Sequence, residues 1–168
     1  IHATNGVEVS ENVIYNVKGH AIFTEEASEH HNTITDNLVL TVRDIDDEFL
    51  LKQHESRSSG FWISHPDNIV NGNQAGDCEG FGFWLAYPET PFGASANLKD
   101  TDGAVLSPRN QPFGSFDRNV AHSNGADGIH LDNAEIDEAG NFWPGRYSPT
   151  TTGRDSFNDD IRIRFETK

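Results

Sequence analysis

The chain has 168 residues, enough for one domain with a real core and too few for two comfortable ones. Its 27 acidic against 12 basic residues give a net charge of −15, a field that repels phosphate backbones and argues against nucleic acid as a partner. Cys78 is the single cysteine, which excludes an intrachain disulfide, and no run of 18 apolar residues exists to span a membrane.

Along the chain, helical periodicity is nearly absent; short β-branched or aromatic stretches alternate with Gly and Asn, the pattern of strands bounded by turns. Asn12-Val13-Ile14-Tyr15-Asn16 comes first, followed by Gly19-His20-Ala21-Ile22-Phe23. Asn32-Thr33-Ile34-Thr35-Asp36-Asn37 and Leu38-Val39-Leu40 come next, then Gly60-Phe61-Trp62-Ile63, Asn68-Ile69-Val70-Asn71 and Gly82-Phe83-Trp84-Leu85. Arg118-Asn119-Val120-Ala121 and Gly128-Ile129-His130-Leu131 close the series. Asn tolerates the left-handed conformation and bonds its own backbone, so it suits sharp corners between strands and could pair with Asn in coils above and below.

The glycines that open the aromatic stretches lie 41, 22 and 46 residues apart. With roughly 20–24 residues per coil, these separations predict two, one and two coils, and they demand unmarked strands near Leu38-Val39-Leu40 and Ala104-Val105-Leu106. The expected fold is all-β: a right-handed parallel β-helix of about six coils. Parallel strands without crossover helices leave few other architectures. Arg43 to Ser59, and Pro88 to Pro112 with its four prolines, are too long for corners and are expected as two loop excursions. The coils are expected over residues 1–133, and residues 134–168 form an irregular extension of the same domain with one strand at 161–165. The start at Ile1 rather than Met suggests a fragment or processed form.

Three segments carry a family resemblance. Gly19-His20-Ala21-Ile22-Phe23-Thr24-Glu25, Phe61-Trp62-Ile63-Ser64-His65-Pro66-Asp67-Asn68, and Asn119-Val120-Ala121-His122-Ser123-Asn124 with Gly128-Ile129-His130-Leu131-Asp132 resemble successive coils of the cell-surface hyaluronidase family, in the same order and with similar spacing. The likeness runs from about Gly6 to Asn133, and the Trp-Ile-x-His-Pro segment is its most specific part. It implies a right-handed β-helix, a secreted or cell-surface location, endo-type cleavage of hyaluronan, and calcium in some members. The family's paired cysteines in the first excursion are missing here, where the loop is acidic instead.

Cleavage of a glycosidic bond needs two flanking carboxyl groups, or in a lyase a base opposite a charge-neutralising cation. The candidate catalytic residues are His65, His122, Glu25 and Asp132. Both histidines follow a strand beside a turn residue, where a ring can bond a backbone carbonyl; in a cleft, neutral His would serve as a base near pH 7. Trp62 and Trp84 are one coil apart and could stack into an exposed sugar platform with His130 beside them, unless the long loops cover them. Asp44, Asp46 and Asp47 are the candidate calcium ligands, although calcium needs six to eight oxygens and no EF-hand pattern occurs. His30 and His31 beside Glu29 are expected as a solvated corner, and no His-x-x-x-His or Cys-x-x-Cys spacing points to zinc.

The function expected is depolymerisation of an extracellular acidic polysaccharide of the hyaluronan kind, by a hydrolase or lyase mechanism. The alternative is a non-catalytic glycan-binding or structural solenoid, joined to further coils or domains of a larger parent chain.

Overall fold

The computed structural model describes residues 1–51, 53–99, 103–132, 147, 149–154 and 160–162. Each coil contributes one strand to each of three parallel sheets. The first coil holds β1 (Glu8–Ser10), β2 (Val13–Lys18) and β3 (His20–Phe23); the second holds β4 (Thr33–Thr35), β5 (Leu38–Arg43) and β6 (Ser59–Ile63). The third holds β7 (Ile69–Asn71), β8 (Gln74–Cys78) and β9 (Phe81–Ala86), and the fourth β10 (Ser115–Asp117), β11 (Val120–His122) and β12 (Ile129–Asp132). The first sheet stacks β1-β4-β7-β10, the second β2-β5-β8-β11, the third β3-β6-β9-β12, with parallel pairing throughout. This is a parallel β-helix.

Its phasing differs from the one the glycine spacing predicts. Each sheet is four strands deep among the described residues, so the 41- and 46-residue separations are single coils lengthened by excursions. Leu38-Val39-Leu40 lies in β5, which pairs with β2 in the second sheet and not with the aromatic strands. Val105 makes only an isolated antiparallel bridge to Lys99, inside the second excursion. A solenoid fixes the stacking of coils, whereas corner length is free to vary, because an outward loop leaves the strand hydrogen bonds untouched.

One corner is the same in every coil. Between the first and second sheets stand Glu11, Asp36, Gly72 and Arg118, all with positive φ (56°, 56°, 69° and 54°), each followed by an Asn. The Asn12 Nδ2 donates to Asn37 Oδ1 at 2.9 Å, Asn37 to Asn73 at 2.9 Å, and Asn73 to Asn119 at 3.1 Å. The same oxygens accept the backbone N–H of the Asn in the preceding coil. A buried corner thus satisfies its backbone groups without water.

Inside the prism, equivalent positions stack. Ile14, Val39, Ala75 and Ala121 form one column and Val9, Ile34, Val70 and Phe116 another. Phe61 and Phe83 pack face to face with centroids 4.6 Å apart. The third sheet departs from the inside-out alternation. Every residue of β6 and β9 is buried, because its outer face carries a second apolar cluster of Trp62, Phe81, Trp84 and Ala86. Continuous apolar runs mark a sheet covered on both sides.

The first excursion holds two short 3-10 turns, Asp47–Phe49 and Gln53–Ser56. The second, between β9 and β10, carries Phe92 onto the Trp cluster. Beyond the coils, Thr150–Arg154 (β13) and Asp160–Arg162 (β14) form an antiparallel pair. The strand predicted at 161–165 and the extension predicted at 134–168 otherwise fall largely outside the described residues. Among the described residues no helix is long and apolar enough to cross a membrane.

Candidate functional site

The turn that follows β3 decides what can gather at the corner between the third and first sheets. Glu29 is fully buried, and its carboxylate accepts the backbone N–H groups of Glu26, Ser28 and Ala3 at 3.0–3.2 Å. That nest fixes the loop from the inside. Glu26 points the other way: its carboxylate accepts from the Ser95 hydroxyl at 2.6 Å and the Ala94 N–H at 3.1 Å, tying the second excursion to the corner. The Ser95 hydrogen bond outweighs desolvation and holds the Glu26 carboxyl below the usual carboxylate range.

Between the anchored excursion and the corner lies a cleft of about 630 Å³, lined by His30, His31, His65, Asp67, Lys99 and Gln111 among others. Neighbouring residues in extended chain project to opposite sides, but His31 has φ of 56°, which swings its ring toward that of His30; the centroids are 4.4 Å apart. Asp67, from the same corner one coil on, accepts from His31 Nε2 at 2.8 Å and lies 3.9 Å from His30 Nδ1. The backbone His31 N–H donates to the Asp67 carbonyl at 2.6 Å, so the strand register itself brings the groups together.

His65 sits below, almost fully buried, its Nδ1 accepting the Asp67 N–H at 3.1 Å. Burial, aided by the nearby His30 and His31, pushes the His65 imidazole down to about 3. It is therefore neutral at pH 7, and although it lines the cleft as expected, its burial works against its taking up a proton there. Burial also lowers His30, with His31 adding to the effect and Asp67 opposing it.

The other candidate residues are dispersed. Glu25 pairs with His2 Nδ1 at 2.8 Å, outside the cleft lining. His122 lies on β11 in the second sheet, exposed, with Nδ1 3.3 Å from the Ser123 hydroxyl. Asp132 ends β12, its backbone in register with Ala86. Trp62, Trp84 and His130 do share the outer face of the third sheet, with Trp62 aligned on Trp84 and Trp84 on His130. The Trp62 and Trp84 centroids are 4.5 Å apart. Both indoles are 0% exposed, however, so they form an interior ladder and not an open sugar platform. Phe92 and Phe23 cover them.

The calcium ligands expected in the first excursion do not converge among the described residues. Asp44 Oδ1 accepts the Ser58 N–H at 2.7 Å, closing the base of the loop, while Asp46 pairs with Lys18 Nζ at 2.8 Å. Asp47 stands in the first short turn. The Asp44 and Asp46 carboxylates serve separate partners, and among the described residues the six to eight oxygens calcium needs are not assembled there.

Sequence reasoning missed the association of His30, His31 and Asp67. A usable signal existed: Asn32 and Asn68 are 36 residues apart, and so are His31 and Asp67. Once the two Asn are recognised as the same corner, the pairing follows.

Compared with known proteins, the described architecture has a family. Residues 1–129 match the CEMIP beta-helix family. The chain belongs to that family. The CEMIP β-helix matched here is similar to mouse fibrocystin-L, 31% identical over 131 residues, which cover 78% of this chain and 3% of that protein. It is also similar to the human cell surface hyaluronidase CEMIP2, 27% identical over 156 residues. A third relative is the human cell migration-inducing and hyaluronan-binding protein, 29% identical over 154 residues; both human matches cover 79% of this chain and 11% of the relative. The chain thus spans between 3% and 11% of the length of these relatives.

Proposed function

We propose that this CEMIP β-helix is the glycan-contacting segment of a larger secreted or cell-surface protein that handles a hyaluronan-like acidic polysaccharide. The observation that carries the reading is the roofed polar cleft, where Lys99 is the one Lys or Arg among the described lining residues. A cation in a cleft attracts a uronate carboxylate that the overall charge of −15 repels elsewhere. Two relatives are named for hyaluronan, and fibrocystin-L is not, so family membership supports the solenoid first and the substrate second.

Cleavage is the second reading, favoured by the name of the cell surface hyaluronidase. Among the described residues Asp67 is the one carboxylate in the cleft lining, so they do not assemble there the pair of carboxyl groups that hydrolysis needs. Glu25, just beyond β3, and Asp132, ending β12, stay proposed catalytic residues, each with a separate partner, because three strand spacings of about 4.8 Å set the first and fourth coils farther apart than the roughly 5–9.5 Å of a working carboxyl pair.

The test is incubation with hyaluronan, chondroitin, pectate and alginate, with and without calcium, following both binding and chain length. Saturable binding of a uronate-containing glycan, weakened about 5-fold or more by Lys99→Glu, supports the proposal; that factor corresponds to roughly 1 kcal/mol. Shortening abolished by Glu25→Ala supports cleavage. Absence of binding to all four glycans overturns both and leaves a structural solenoid.

A further inference from the structure

The groups gathered at the third corner have a chemistry that glycan contact does not use. His30, His31 and Asp67 each offer one ligand atom, and the three atoms lie within 4.8 Å of one another. Two imidazole nitrogens and one carboxylate oxygen form the donor set that borderline divalent cations such as zinc prefer; calcium and magnesium prefer all-oxygen sets. We propose that His30, His31 and Asp67 bind a zinc-like divalent cation at the mouth of the cleft.

The geometry is close to what such an ion requires. Ligand bonds of about 2.0–2.1 Å in a tetrahedral arrangement place the donor atoms roughly 3.3 Å apart. The observed His31–Asp67 distance of 2.8 Å and His30–Asp67 distance of 3.9 Å straddle that value, so modest side-chain rotation seats the ion. The backbone is already committed to the arrangement. The left-handed His31 is what turns two adjacent rings to one side, and the His31 N–H bond to the Asp67 carbonyl holds the two coils in register. Beneath the ligands, the buried His65 accepts the Asp67 N–H, and the Asn68 Nδ2 donates to the carbonyls of Glu29 and His65. These bonds fix the backbone of the corner from which His30, His31 and Asp67 project.

Three protein ligands leave at least one coordination position for water or for an oxygen donor. That position faces the cleft with Lys99 and Gln111, so the ion would add positive charge where the rest of the chain is acidic. The proposal does not depend on hyaluronan, because its readout is metal binding itself.

The experiment titrates the chain, freed of metal with a chelator, with Zn²⁺ by calorimetry and with Co²⁺ by visible absorption, at pH 7.5. One equivalent of Zn²⁺ with a Kd of about 10 µM or tighter is expected, together with Co²⁺ d–d bands of the intensity that four- or five-coordinate sites give. His31→Asn keeps a residue that tolerates positive φ while removing the imidazole, and it should weaken Zn²⁺ at least 10-fold, as should Asp67→Asn. His122→Ala, on the second sheet, should leave the affinity unchanged. Circular dichroism and the urea midpoint establish that each variant is folded. No stoichiometric Zn²⁺ binding overturns the proposal. So does binding that survives both His31→Asn and Asp67→Asn, or binding that Ca²⁺ displaces at equal concentration, since either marks a diffuse acidic surface.

Discussion

Asn73 illustrates how much one polar side chain carries in this molecule. Its Oδ1 accepts the Asn37 N–H and Nδ2 at 3.1 and 2.9 Å, and its Nδ2 donates to the Ile34 carbonyl at 2.8 Å and to Asn119. Removing it strands two donors of Asn37 and takes a donor from the Ile34 carbonyl and from Asn119 Oδ1, each buried group left unpaired costing about 1–3 kcal/mol. Asn73→Ala should therefore lower the urea-unfolding free energy by roughly 3 kcal/mol, whereas Asn71, at the third coil's strand end, lies outside this ladder. Glu26 acts through charge. Its folded-state carboxyl is held low by the Ser95 hydroxyl, so an unfolded chain takes up the proton first as the solution is acidified. Its stabilising contribution is present above the ordinary carboxylate pKa of about 4.3 and disappears as pH falls through the lower folded value. Thermal melts of wild type and Glu26→Gln should differ most at pH 7 and converge toward pH 3. At this scale the sequence was partly legible. The Asn residues announced corners by their conformational habits, but nothing local to Glu26 or Glu29 showed which backbone groups they would serve.

At the scale of the element, the third sheet is the informative one. Its strands read Phe-Trp-Ile and Phe-Gly-Phe-Trp-Leu-Ala, runs too continuously apolar for a sheet with one wet face, and both faces are in fact covered. The glycines that precede these strands are demanded by close approach. A Cβ on Gly80 would stand 2.1 Å from the Ser58 carbonyl oxygen, an atom that cannot move without breaking its bond from the Phe81 N–H. The φ of Gly80 is not in the left-handed region, so a substitution there isolates the clash. Gly80→Ala should cost about 3 kcal/mol by overpacking, read as a lower urea midpoint at unchanged m. The Gly-aromatic pattern was visible in the sequence, and so was the one-coil spacing of Trp62 and Trp84. The misreading of 41 and 46 residues as double coils arose because spacing alone cannot distinguish a bare coil from one that carries a loop.

For the whole molecule, the two excursions determine which surfaces exist. The second one ties down at Glu26, lays Phe92 over the Trp ladder, and roofs the cleft. Phe92→Ala should uncover the outer face of the third sheet: tryptophan emission should shift to longer wavelength, protease should cut within residues 88–113 more readily, and stability should drop by about 2 kcal/mol. Unchanged emission and cleavage would show that the cover is held by Glu26 alone. The low count of bases points away from nucleic acid, and the absence of helical periodicity along the sequence points toward a β fold.

What the amino-acid order determined by itself is the identity of the repeating parts: corner Asn, inward aliphatic residues and tightly packed Gly, because these follow from conformational preference and side-chain volume within a few residues. The meeting of His30 and His31 with Asp67, the burial of Trp62 and Trp84, and the dispersal of Asp44, Asp46 and Asp47 were decided only when the coils stacked. The histidine–aspartate meeting depends on the 36-residue offset between the second and third coils, and loop length sets that offset without leaving a trace in the local chemistry of the strands.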